Sequence, residues 1–314
     1  MSTPSMASPQ RAAAAPTAPT AARLAVLGSP ISHSQSPALH RAAYGVLGLD
    51  WSYDAIEVSE GSLTGFIDGL GTEWRGLSLT MPLKTEAAAL ISDLDSLAQH
   101  TGAVNTVLLR NGATGRTLSG FNTDVPGLVR ALAEGGVREA RRVVLLGAGA
   151  TASSALISAA EIGAESVDIL VRSPRKAAPL VELGRSRGLV VTVSQLPNAE
   201  AGNDSTPGRP ITTIPALDSP ASLMISTLPG GSLLGDVFSA DFRRDTVLFD
   251  VSYSPWPSAL ALAWQRADGT VLNGLSMLLH QALIQVRIFV NGDPFEPVER
   301  EHEVLAAMRG ALTV

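Results

Sequence analysis

The chain has 314 residues, enough for two domains of ordinary size, and its 45% hydrophobic and 17% charged residues are the balance of a globular rather than a disordered protein. A formal charge of −6 without any basic block excludes the phosphate-neutralising footprint of a nucleic-acid binder. Cysteine is absent, which excludes disulfides, thiolate nucleophiles and thiolate metal sites and fits a reducing, cytoplasmic compartment.

Residues 1–22 are mostly Ala, Pro, Ser and Thr, with one Arg and no acid. Pro16 and Pro19 interrupt every stretch that would serve as a secretory signal, so the segment reads as a disordered tail; a plastid-type transit peptide shares its composition. No apolar run approaches the roughly 20 residues of a membrane span. Three strands are then predicted, at Arg23–Gly28, Trp51–Val58 and Gly76–Pro82, with a helix over Pro37–Leu47 whose Pro falls in the first turn. Strand–helix–strand repetition implies a parallel sheet. Asn105–Arg110 and Arg116–Gly120 read as a hairpin joined by a loop over Asn111–Gly115, and a helix near Pro126–Gly135 leads away.

A second α/β unit opens with a buried-strand run at Arg142–Leu146, a helix at Ala152–Ile162 and a strand at Ser166–Val171. Further strands are expected at Leu189–Val193, Leu223–Ser226 and Val247–Asp250, and 197–220 reads as a surface loop. Then come a helix at Pro257–Arg266, a short strand at Thr270–Leu272, a long apolar helix at Leu275–Val290 and a last helix over about 298–312. The fold class is therefore α/β with two units, the second of doubly wound, Rossmann type.

Between the strand ending at Leu146 and the next helix stands Gly147-Ala148-Gly149-Ala150-Thr151-Ala152. Gly147 permits a tight turn, Gly149 lets the backbone approach a pyrophosphate, and Ala152 keeps the helix close to the sheet. The free N–H groups of the helix start then face phosphate. At the end of the next strand, where an NAD site places a carboxylate for the ribose, stand Arg172, Ser173, Pro174, Arg175 and Lys176. A guanidinium suits a 2′-phosphate, so the cofactor expected is NADP; the alternative is three cations that solvate a helix start. Asp168 lies too early in its strand to hold the ribose. The five histidines, His33, His40, His100, His280 and His302, are scattered, and no metal site is expected.

Near the N-terminus, Gly28-Ser29-Pro30-Ile31-Ser32-His33-Ser34-Gln35-Ser36-Pro37-Ala38-Leu39-His40 joins the first strand to the first helix. Ser34 and Ser36 have two readings there: caps of that helix, or hydroxyl donors to a carboxylate at its positive end. Lys84 follows Pro82 beside a helix start, and Asp124 stands two residues before Pro126. Hydride delivery to a ketone needs a proton donor within reach, and a carboxylate beside a lysine keeps it oriented and charged. The rival readings are a solvated Lys84 and an N-capping Asp124.

These segments, with Leu77-Ser78-Leu79-Thr80-Met81-Pro82-Leu83-Lys84, Gly102-Ala103-Val104-Asn105-Thr106, Asn122-Thr123-Asp124, Asp250-Val251-Ser252-Tyr253 and Asn273-Gly274-Leu275-Ser276-Met277-Leu278-Leu279-His280-Gln281-Ala282, resemble in order the signature blocks of the shikimate dehydrogenase family. The blocks run from 28 to 282. The resemblance implies reversible reduction of 3-dehydroshikimate to shikimate with NADP, by a monomer or homodimer that needs no nucleic-acid or membrane partner. It implies that Lys84 and Asp124 form the catalytic pair, with Lys84 as proton donor and acceptor. Ser34 and Ser36 would hold the substrate carboxylate; Thr80, Asn105, Asp124 and Gln281 would hold its ring hydroxyls, with Tyr253 alongside. Cofactor contacts would come from Gly147, Ala148, Gly149, Ala150, Thr151, Arg172, Ser173, Arg175, Thr227, Val251 and Gly274, the valine and Gly274 near the nicotinamide. The domains implied are 23–123 plus 273–314 for substrate and 124–272 for cofactor.

Three departures from the family pattern stand out. Ser78 replaces an Asn, which would slacken the loop positioning Lys84; Met81 replaces a Val; Val171 replaces the Asn before Arg172. Two rivals are a quinate/shikimate dehydrogenase using NAD, which an acid at 172 would favour, and a silent NADP-binding regulator, which would have lost Lys84 or Asp124.

Overall fold

A computed structural model describes residues 21–113, 115–196, 221–229, 232 and 237–313. The first half runs β1 (Ala21–Gly28), α1 (Ser36–Leu47), β2 (Asp50–Glu57), α2 (Leu63–Asp68), β3 (Trp74–Leu79), α3 (Leu83–Leu90), β4 (Asp93–Leu94), α4 (Ser96–Thr101), β5 (Thr106–Gly112) and β6 (Gly115–Phe121). Helix α5 (Asp124–Glu134) leads to β7 (Arg142–Leu146), α6 (Ala150–Glu161), β8 (Ser166–Val171), α7 (Ala178–Ser186), β9 (Val190–Gln195), β10 (Leu223–Ser226), α8 (Ala240–Asp245), β11 (Val247–Asp250), α9 (Ala259–Gln265) and β12 (Val271–Asn273). Helices α10 (Gly274–Asn291) and α11 (Glu301–Gly310) close the chain.

Among the described residues the strands form two six-stranded sheets. The first has the order β2-β1-β3-β5-β6-β4 and is mixed: β1 pairs in parallel with β2 and β3, whereas β5 runs antiparallel to β3 and β6. The second, β12-β11-β10-β7-β8-β9, is parallel at every pairing and reverses its winding between β7 and β10. In such sheets ligands lie outside the carboxyl ends of the strands at that reversal.

Each sheet is covered on both faces. In the first, Leu24, Val26 and Tyr53 meet Leu279, Leu283, Val304 and Met308 of α10 and α11 on one side. On the other, Leu27, Leu77 and Val107 meet Leu63, Leu83 and Ala98 of α2, α3 and α4. Each fully buried aliphatic side chain contributes roughly 1.5–3 kcal/mol relative to exposure. The return of α10 and α11 to the first sheet ties the ends of the chain into one unit.

Several boundaries differ from the sequence reading for physical reasons. Strand β1 opens at Ala21 rather than Arg23, because Ala21 and Ala22 pair with Asp50 and Trp51. Pairing of Asn111 with Arg116 and of Gly112 with Gly115 carries the β5–β6 ladder into the segment expected as a loop. The edge strand β9 sits one to two residues later than expected. Helices α2, α4 and α8 and the two-residue β4 were not predicted, and of α3 and α7 only a start was read, without an extent; each has few turns in which a period can show. The expected loop over 197–220 and nearly all of the expected tail lie outside the described residues.

Candidate active site

Helix α3 starts directly after Pro82 and places Lys84 in its first turn. A cation there stands against the helix dipole, which favours negative charge at an N-terminus. The compensation is local: Lys84 Nζ donates to Asp124 Oδ2 at 2.6 Å, with side chains only 12% and 5% exposed. Asp124 is the first residue of α5 but does not cap it. The cap position is Thr123, which makes no side-chain capping bond, and Asn122 just before it serves instead: its Oδ1 accepts from the backbone N–H groups of Asp124 at 3.0 Å and Val125 at 3.2 Å. The N-cap alternative for Asp124 therefore fails, and its carboxylate is free for other partners. One of these is Asn105, whose Nδ2 donates to Asp124 Oδ1 at 2.8 Å and to Thr123 Oγ1 at 2.9 Å, with a longer contact to Gln281 Oε1 at 3.3 Å. Four side chains from β5's start, α3, α5 and α10 thus converge.

They line a cleft of about 370 Å³ between the two sheets, together with Ser34, Ser36, Thr80 and Tyr253. The carboxyl ends of β1, β3, β10 and β11 all point to it. Thr151, Thr227, Val251 and Gly274 line the same cleft, whereas Gly147, Ala148, Gly149, Ala150, Arg172, Ser173 and Arg175 lie outside its lining. Ser36 is the first residue of α1 and Gln35 the formal cap, with no side-chain capping bond; Ser34 Oγ accepts from Ser36 N at 3.3 Å. Burial pushes the Tyr253 hydroxyl pKa up.

The glycine turn lies at the reversal point of the second sheet. Gly147 has φ +106, and a Cβ there would come within 2.4 Å of Thr227 Oγ1, so only glycine fits. Thr227 in turn donates through N and Oγ1 to the Leu146 carbonyl, at 2.9 and 2.7 Å. A Cβ at Gly149 would meet nothing within 4 Å, which leaves the backbone open to an approaching group. Helix α6 begins there with no side-chain cap, so its first N–H groups remain available. Arg172, Arg175 and Lys176 are exposed, and no hydrogen bond or ion pair within the described residues holds their charged side-chain groups. An uncapped helix start, an open turn and three uncommitted cations fit a phosphorylated dinucleotide. Asp168, by contrast, is engaged by Arg142 Nη2 at 2.8 Å. Among the described residues no group of three or more His, Asp or Glu side chains is placed to hold a metal ion.

The residues that sequence reasoning missed form the floor of the cleft. Ser78 is not slack: it accepts from Tyr53 OH at 2.6 Å and donates to Gln285 Oε1 at 2.9 Å, so it is pinned from both sides. Gln285 Nε2 donates to the Asn105 carbonyl at 3.2 Å and to Thr106 Oγ1 at 3.0 Å, which fixes the backbone under Asn105. The available signal was spacing, since Gln285 follows Gln281 by four residues and shares its helix face.

Gly127 sets the depth of this floor. A Cβ there would lie 2.7 Å from Gln281 Cβ and 2.9 Å from its backbone N, so α5 and α10 touch at this point. Gly127→Ala is expected to push α10 away, cost about 1–3 kcal/mol by overpacking, and raise the KM for the ring substrate several-fold. Thermal unfolding with initial-rate kinetics checks this; an unchanged KM with unchanged melting temperature refutes it.

Comparison with known proteins gives a consistent picture. The family model described as "Shikimate dehydrogenase substrate binding domain" matches residues 26–107. A protein of Methanothermobacter thermautotrophicus named shikimate dehydrogenase (NADP(+)) is 32% identical over 280 residues, covering 86% of this chain and 91% of that protein. The protein of the same name from Geobacter metallireducens is also 32% identical, covering 91% of this chain and 96% of the relative. Among solved structures, the shikimate 5-dehydrogenase of Mycobacterium fortuitum is similar with a TM-score of 0.69 and 35% identity, over 94% of this chain and 99% of that one. The Thermus thermophilus shikimate 5-dehydrogenase, solved in complex with NADP(H) and shikimate, gives a TM-score of 0.70 and 30% identity, over 93% and 100% of the two chains.

Proposed function

The chain belongs to the shikimate dehydrogenase family, and from that premise we propose that it is an NADP-dependent oxidoreductase that reversibly reduces 3-dehydroshikimate to shikimate, a step toward chorismate and the aromatic amino acids. The observation that carries the reading is the Lys84–Asp124 pair, 2.6 Å apart at the bottom of a cleft that the glycine-turn half of the molecule also lines.

In this reading Ser34 and Ser36 bind the substrate carboxylate at the start of α1, where the helix dipole favours an anion. Thr80, Asn105, Asp124 and Gln281 bind the ring hydroxyls, and Tyr253 closes the cleft beside the ring. Gly147, Ala148, Gly149, Ala150 and Thr151 hold the pyrophosphate, Arg172, Ser173 and Arg175 the 2′-phosphate, and Thr227, Val251 and Gly274 the nicotinamide side. Bound NADPH supplies the hydride. Lys84 gives a proton to the ketone oxygen as negative charge develops there, and takes it back in the reverse direction. Asp124, locked by Asn105, aims the ammonium and orders the adjoining hydroxyl. We assign 23–123 with 273–314 to the substrate domain and 124–272 to the cofactor domain, a division that α5 and α10 support by crossing between the sheets. No helix among the described residues is long and apolar enough to cross a membrane. The cytoplasm is the compartment we propose for the reaction.

Initial rates of shikimate oxidation test the proposal. The rate with NADP is expected to exceed that with NAD by about 10–100-fold, the size of one or two charge-assisted hydrogen bonds. Arg172→Glu should erase most of that preference. No turnover of shikimate with either nucleotide would overturn the activity, and equal rates with both would overturn the role of Arg172.

A further inference from the structure

Helix α6 carries two hydroxyls on its buried face. Ser154 and Ser158 lie one turn apart, and both have 0% exposure. Asn122 Nδ2 donates to Ser154 Oγ at 3.0 Å, and Ser158 Oγ donates to the carbonyls of Val125 at 3.2 Å and Ser154 at 2.9 Å. The same Asn122 amide donates to Thr101 Oγ1 and to the Ala103 carbonyl, each at 3.0 Å. Its oxygen caps α5 at Asp124 and Val125. One buried side chain therefore joins three bodies: the helix that begins at the glycine turn, the end of α4 beneath the substrate cleft, and the residue bearing the cleft's carboxylate.

Neither local preference nor polar satisfaction asks for these serines. Alanine is the better helix former, and the same helix already buries Ala152, Ala155 and Ala159. Without the Ser154 hydroxyl, Asn122 Nδ2 would still have two acceptors, so no orphaned donor would result. What the hydroxyls add is direction. They hold the helix of the cofactor turn at a set distance from the first turn of α5.

We propose that Ser154, acting through Asn122 with Ser158 beside it, is a positioning residue that fixes the glycine turn relative to the Asp124 carboxylate. The proposal rests on the reading of the site given above. It follows that loosening the link misplaces hydride donor and proton donor with respect to each other, and a displacement of about 1 Å can cost on the order of 10²-fold in rate.

The test is the double variant Ser154→Ala/Ser158→Ala, assayed for oxidation of shikimate and of shikimate deuterated at the carbon that loses hydride. The expected result is a kcat about tenfold lower, with both KM values within about twofold of wild type, a larger deuterium isotope effect and no fall in melting temperature. A role in packing alone would lower the melting temperature and leave the isotope effect in place. An active wild type whose kcat and isotope effect the variant matches overturns the proposal alone, as does a kcat loss that tracks a loss of melting temperature. If the wild-type chain itself fails to oxidise shikimate, the reading of the site falls and takes this proposal with it.

Discussion

Lys84→Ala is expected to lower kcat for shikimate oxidation by about 10²–10⁴-fold, the usual worth of a positioned acid or base, while NADP still binds. That span corresponds to about 2.7–5.4 kcal/mol of transition-state stabilisation. The loss should fall on kcat more than on KM, because the ammonium's proton is shared most strongly when charge sits on the carbonyl oxygen. The cleft keeps its other donors: Asn105 still holds Asp124 at 2.8 Å, and Ser34, Ser36 and Thr80 lie on separate segments. Removing one partner of a mostly buried ion pair also costs stability, so a thermal shift on adding NADP is the control for an intact fold. Steady-state kinetics of the folded variant decide the matter. If its kcat stays within a few-fold of wild type, Lys84 is not the proton donor, however close it lies to Asp124.

The fold was most legible where burial was most uniform. Arg142–Leu146, Ser166–Val171, Leu223–Ser226 and Val247–Asp250 appear as strands within the limits read from sequence, because strands buried on both faces of a parallel sheet show as unbroken apolar runs. Strand β9 at the sheet's edge alternates, and its reading slipped. In the site, the residues proposed to bear chemistry stood in short blocks and could be named, but which side chains meet them could not be read. Asn105 meets Gln281 across 176 positions, and Gln285 meets Ser78 across 207, through side-chain directions that no local period encodes. The substitution at Ser78 shows why: judged by its length alone it loosens a loop, whereas Tyr53 and Gln285, both from distant elements, hold it between them.

The floor that holds Ser78 also carries an acid liability, at His40. This ring has 0% exposure and stacks on Tyr53 at 4.0 Å between centroids. Because Gln285 Nε2 must donate to the Asn105 carbonyl, its oxygen faces His40, so Nε2–H of the imidazole donates to it at 3.1 Å and Nδ1 accepts from Tyr44 OH at 3.2 Å. Burial lowers the His40 pKa from 6.5 to about 3, partly opposed by the bond to Gln285. Between those values the unfolded chain takes up a proton that the native protein refuses. His40 thus leaves stability intact above pH 6.5, and stability falls with acid by at most about 1.4 kcal/mol per pH unit, about 4 kcal/mol in all by pH 3. His280, also lowered by burial, adds a slope of the same sign. Glu134, held down to about 2 by Arg309, loses its contribution only below its ordinary 4.5. Half-buried Asp95 and buried Asp250, whose pKa values desolvation raises, act in the opposite sense. Comparison of wild type with His40→Phe, which keeps a ring against Tyr53 but cannot titrate, isolates the histidine. At pH 7 the variant should be less stable by about 1–3 kcal/mol, for the hydrogen bonds lost by Gln285 and Tyr44. From pH 6.5 to 4.5 its unfolding free energy, measured with urea at each pH, should fall less steeply than that of wild type, so the two curves converge. Parallel curves across that window would mean that His40 is already free to protonate in the folded protein, and that the floor beneath Asn105 is softer than its hydrogen bonds indicate.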